Sequence, residues 1–323
     1  MERMDLPAEP QIRWILRRTA ALLEQGAEPV RGLVLPTASY FPDTFDGSPR
    51  AVAALLARVQ AHAGLSDLEA ELNVVTPEGE VASSGCSSGG CGPGGKIEAR
   101  LDRVGRRSDG SYVVAVGTGE VGNPMVLTTA LARSVACMFM TEAGAYDDMP
   151  PEDRERATDL AGVLLGFGVL LANGSHVVVK GCGGSKVHSA TRMTVEEAGL
   201  SLAIFCGLFG VEPRAAAKHL DPGPREGFDL GTTWAESNAT LVRRLRTDAR
   251  SIARDEFVLG EARGWLSRVL GIGKSKRAAT ADETISALER SMRSAAPKKQ
   301  IDPERSKKLA ELRALVDESL DTR

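Results

Sequence analysis

Histidine is scarce in this chain. The four present, His62, His176, His188 and His219, never stand one helical turn apart. Their scatter excludes a metal site made from paired imidazoles on one helix face and assigns the four to helix ends and loops, in exposed or capping roles. Aromatic residues make up only 4% of the chain, so a core must be built mainly from Leu, Val and Ala. The five cysteines are an odd number, far below the density of a disulfide-stapled scaffold. They predict mostly reduced thiols and a cytoplasmic location. The opening residues, MERMDLPAEP, lack a basic segment followed by an apolar run, so no targeting peptide is expected. Long hydrophobic runs are missing as well. The longest uncharged apolar stretch, Leu160 to Ala172, has 13 residues, short of the roughly 20 that cross a bilayer. Neither sign of charge dominates: the net of −3 argues against a nucleic-acid partner.

What is present suits a globular protein. Hydrophobic content is 42% and charged content 26%, enough to bury a core. The charge is unevenly spread. Residues 246–323 carry 17 basic and 13 acidic side chains, so the remainder is acidic. That contrast marks a separate C-terminal segment. Glycine and serine concentrate in one low-complexity stretch, ASSGCSSGGCGPGG, from Ala82 to Gly95.

Local patterns predict the elements. Gln11 to Gln25 has helical spacing with Gly26 at its end, and Val30 to Leu35 reads as a short strand. Tyr40 to Ser48 is a loop whose aromatics anchor it, and Ser48 with Pro49 opens a helix to about Ala63. Leu68 to Val75 is extended, and Lys96 to Val104 with Ser111 to Val116 forms a hairpin. Asn123 and Pro124 start a helix, Met125 to Met140, that is apolar on nearly every face except at Arg133 and Ser134. After an acidic loop, a second apolar helix runs from about Pro151 to Ala172, its Gly162, Gly166 and Gly168 suited to close packing. His176 to Lys180 is a strand. Thr194 and Glu197 form a capping box for another buried helix. Arg214 to Leu220 is a short helix, and Thr232 to about Leu270 is helical. A basic linker, Gly271 to Ala281, precedes two short amphipathic helices.

The stretch Thr129 to Met140 resembles the active-site helix of bacterial zincin-like metallopeptidases, which carries His-Glu-x-x-His among small and apolar residues. Their following helix has an acidic residue before a leucine- and glycine-rich run, here Asp159 ahead of Leu160-Ala161-Gly162-Val163-Leu164-Leu165-Gly166. Glu196-Glu197-Ala198-Gly199-Leu200 adds to the likeness, which spans roughly residues 30–245. The resemblance implies an α+β, zincin-like domain over residues 10–245. A small, mostly antiparallel sheet would pack on buried helices, and residues 246–323 would form a basic, helical, partly flexible extension. It also implies a degenerate site. Arg133 stands where the first zinc histidine belongs, Ser134 replaces the general-base glutamate and Cys137 replaces the second histidine. Asp159, 22 residues beyond Cys137, corresponds to the third ligand. Arginine stays protonated and cannot ligate, so no zinc peptidase activity and no cofactor are expected. Two directions stay open for Arg133: inward to Asp159, or outward to Glu142, Asp147 or Asp148.

Two further groupings remain. Cys86, Cys91, Cys182 and His188 lie in glycine-rich loops and would make a Cys₃His metal or redox site if brought together. A surface loop is the simpler account, because C-x₄-C departs from the commoner knuckle spacing. Gly85 to Gly95 lacks the lysine of a P-loop. Trp265 and Leu266 precede a small basic cluster, and Ile285, Leu288 and Met292, then Leu309, Leu312, Val316 and Leu320, form apolar stripes. These stripes suit a protein partner or self-association more than a membrane surface. The sequence thus reads as a pseudo-peptidase serving as a binding, scaffolding or regulatory module. A metal- or redox-sensing protein and a hydrolase with an unrelated site, built around Cys182 and His188, are the alternatives.

Overall fold

The computed structural model describes residues 4–75, 103–147, 149–181 and 184–260. The fold is α+β. Its elements run α1 (Glu9–Glu24), α2 (Pro49–Ala63), β1 (Ala70–Val75), β2 (Val104–Arg106), β3 (Tyr112–Gly117), α3 (Thr118–Val121), α4 (Pro124–Glu142) and α5 (Pro151–Gly162). A π-helical turn, Val163–Phe167, leads into α6 (Gly168–Gly174). Then come β4 (Val177–Gly181), β5 (Gly184–His188), α7 (Val195–Phe209), α8 (Pro213–Ala217), α9 (Pro222–Ser237), α10 (Ala239–Thr247) and α11 (Ala249–Ala253).

Several helices begin where side chains meet the orphan amides of a first turn. Ser48 accepts from the Ala51 amide, Asn123 from Val126 and Thr194 from Glu197, with Glu197 completing the capping box. β3 is the centre of a three-stranded sheet of order β1-β3-β2. Its Tyr112, Val114 and Val116 alternate into the core. Contrary to the expected mostly antiparallel arrangement, this sheet is mixed. β1 pairs parallel to β3 from Ala70↔Tyr112 to Val75↔Gly117, while only the short β2 is antiparallel. β4 and β5 form a separate antiparallel hairpin.

α4 and the α5–α6 helix form the centre of the core. By length and composition both pass as membrane-spanning, yet 67% and 100% of their apolar windows are buried within the protein. The second helix is not continuous as expected. Gly166 has φ +102°, its carbonyl accepts from the Val34 amide at 2.9 Å, and a Cβ there would lie 2.3 Å from the Gly32 carbonyl oxygen. This contact also explains why Val30 to Leu35 is not a strand: a backbone segment crosses the helix at a break in its hydrogen bonding.

The expected helix from Thr232 is also different. α9 begins ten residues earlier, at Pro222, and the chain then breaks at Asn238 and Asp248. The sequence PGPREGFDLG reads as a loop because it is rich in Pro and Gly. Here Pro222 occupies the first turn, and Gly227 and Gly231 face α7. A Cβ on Gly199 would lie 2.4 Å from the Gly227 carbonyl carbon, and one on Gly231 2.7 Å from the Leu200 Cα. The folded unit continues beyond residue 245, since Ile252 and Phe257 are buried in the same core.

Candidate functional site

α4 and α5 place Arg133 and Asp159 face to face in the interior, 4% and 0% exposed. Arg133 Nε donates to Asp159 Oδ1 at 2.5 Å, and its Nη2 donates to Glu155 Oε2 at 3.3 Å. The inward direction is therefore the one taken. Glu155, one turn before Asp159, adds a second acid that the sequence reading did not name. The other carboxylate oxygen of Asp159 accepts the backbone amides of Arg192, at 2.6 Å, and Met193, at 3.0 Å. Arg192 also reaches back to Glu155 through its own Nε, at 3.0 Å. One buried carboxylate thus ties α4, α5 and the segment entering α7 together.

The electrostatics keep Arg133 charged. Burial is the largest single influence on Arg133 and favours losing the proton. The attraction of Asp159, then that of Glu155, outweighs it and raises the guanidinium above its ordinary value. Removing one partner would strand a buried charge, at a cost of about 3–5 kcal/mol.

The neighbouring positions are equally occupied. Ser134 Oγ donates to the Ala130 carbonyl at 2.9 Å, the back-bonding common for a hydroxyl within a helix. Cys137 is buried, and that burial pushes its thiol pKa up despite hydrogen bonds with Tyr146 and Thr141. Tyr146 closes the cluster through a 2.6 Å hydrogen bond between its hydroxyl and that of Thr158. This donor set does not fit a zinc ion. A guanidinium fills one position, a thiol held protonated fills another, and Asp159 already accepts three N–H donors. Among the described residues, no three His, Cys, Asp or Glu side chains converge.

The remaining sequence candidates fare differently. His188 is half-buried in β5, opposite Val177. Cys86, Cys91 and Cys182 lie outside the described residues, as do Trp265, Leu266, Ile285, Leu288, Met292, Leu309, Leu312, Val316 and Leu320. His62 departs from the exposed or capping role expected of it. It is 2% exposed, its Nε2 lies 2.9 Å from the Tyr40 carbonyl oxygen, and the rings of Tyr40 and Phe41 meet it edge-on. A second charged node also escaped the sequence reading. Arg156 grips both oxygens of Glu197 and lies 4.0 Å from the Trp14 ring centroid, joining α5, α7 and α1. Only the Thr194–Glu197 capping signal hinted that Glu197 is buried.

No protein-family model matches this chain, no curated protein matches it, and no solved structure matches it.

Proposed function

We propose that the chain is a non-catalytic, zincin-like protein that serves as a protein-binding, scaffolding or regulatory module. The observation that carries this reading is the Arg133–Asp159 pair. In the motif alignment Arg133 takes the place of the first zinc histidine, and here its cation sits against the carboxylate left over from the ligand set. A fixed guanidinium supplies the positive charge a metal would supply, but it offers no open coordination position and no bound water to activate. Among the described residues, no imidazole or carboxylate takes the proton of Ser134, whose hydroxyl donates to the Ala130 carbonyl. The pair therefore keeps the interior of the fold assembled without hydrolytic chemistry, and the protein's task falls to its surfaces. The amphipathic stripes of residues 285–320 are the partner-binding elements in this reading, acting by helix-in-groove docking.

Affinity capture from the native cell tests the proposal, using the full chain and a version ending at Leu266, where the compact unit ends. The expected result is a protein partner retained by the full chain and lost by the shortened one, with both showing the same circular dichroism melting of the core. Equal capture by both would move the interaction onto the domain. Peptide hydrolysis by the purified chain, abolished by Ser134→Ala, would refute the non-catalytic reading.

A further inference from the structure

Residues 35–47 connect the Val34–Gly166 contact to the start of α2, and their fixings are unequal. At one end the Val34 amide is held by the Gly166 carbonyl, and at the other Asp46 accepts from the Ser48 amide at 2.9 Å. Between them stand an exposed ion pair, Arg58 to Asp43 at 2.8 Å, and the buried contact with His62. A carbonyl oxygen only accepts, so the Nε2 facing Tyr40 carries the proton of the neutral ring. The single place for a second proton is Nδ1. That atom is buried and has no hydrogen-bond partner among the described residues. The Tyr40 and Phe41 rings meet the imidazole edge-on, their centroids 5.6 and 5.5 Å from its own.

We propose that His62 is an acid-sensitive latch: protonation at Nδ1 releases the Tyr40–Phe41 loop from α2 while the rest of the core stays folded. A protonated Nδ1 is a buried donor without an acceptor, on a ring that has become a cation. The charged groups that bear on it are Arg31, in the segment before the loop, and Arg58, on α2, both repulsive. Of the loop's two acids, Asp43 is committed to Arg58 and Asp46 to the Ser48 amide, and Tyr40 contributes a carbonyl and a neutral ring. Burial is the main influence holding the His62 pKa below 6.5, with the two arginines adding to it and the Tyr40 hydrogen bond opposing it. The sign follows. The unfolded or released form binds the proton more readily, so the contact is at full strength above pH 6.5 and is lost as pH falls through the lower, folded value.

Hydrogen–deuterium exchange on the full chain at pH 7.0 and pH 4.5, corrected for intrinsic exchange, tests the latch. The expected result is that amides in residues 37–46 lose protection at the lower pH, while α4 and α7 keep theirs. His62→Gln retains an amide donor for the Tyr40 carbonyl but cannot charge, and should keep the loop protected at both values. Unchanged protection in the natural protein, or the same acid loss in His62→Gln, overturns the proposal. Should that variant not fold, NMR titration of His62 in the natural protein decides. A midpoint below 6.5 with Tyr40 and Phe41 resonances moving in step supports the latch. A midpoint at or above that value, or rings that do not respond, overturns it.

Discussion

Arg133 shows how one side chain gives a buried helix its meaning. A guanidinium among Leu131, Ala132, Val135 and Ala136 would be untenable alone, and Asp159, itself held by two backbone amides, together with Glu155 makes it stable. Its energetics are measurable by a double-mutant cycle in urea. Arg133→Met and Asp159→Leu should each destabilise the fold by about 3–5 kcal/mol, because each strands a buried charge. The double variant, which strands none, should be markedly more stable than the sum of the singles predicts. Additive losses would mean that the two residues act independently. Both residues were legible in the sequence, Arg133 as a charge in an apolar helix and Asp159 by the motif alignment. Glu155 was not, since an acid in PEDRERATD looks like one more solvated charge. The His62 contact was half legible: the loop's aromatics were expected to anchor it, but a histidine near a helix end gives no sign that the loop folds back over it.

Helix starts were the most readable elements, since Ser48, Asn123 and Thr194 act over three residues and depend on nothing distant. Elements decided by long-range contact were not readable. α9 is the clearest case, its Pro and Gly content mimicking a loop until α7 is laid against it. The interruption at Gly166 is another, because the partner of its carbonyl is Val34, far away in sequence. The parallel β1–β3 pairing was unreadable for a similar reason: alternation in a strand reports which face is buried and not which neighbour it joins. If glycine is what lets α7 and α9 meet, Gly199→Ala should lower stability by about 1–3 kcal/mol, the usual cost of overpacking a core. The added methyl would meet backbone atoms of Gly227 and Phe228, which cannot rotate away. Thermal melting checks this. An unchanged midpoint would show that the helices can separate without loss.

Across the molecule, charge and architecture describe a protein of two characters. The described core is held together by buried apolar helices and by charged nodes that include Arg133 with Asp159 and the partly buried Arg156 with Glu197. The basic C-terminal segment carries the amphipathic stripes on which the proposed binding role rests. The central proposal is that positions 133, 134, 137 and 159 correspond to those of a zinc peptidase site, closed in this chain by an ion pair. Restoring the missing ligands tests it most directly. The combined variant Arg133→His, Ser134→Glu and Cys137→His would place two imidazoles one turn apart on α4, across from Asp159. Equilibrium dialysis followed by elemental analysis should find about one zinc per folded chain in the variant and none in the natural protein. A variant that keeps its circular dichroism spectrum yet takes up no zinc, or a natural protein that binds zinc in a manner abolished by Asp159→Asn, would contradict the account.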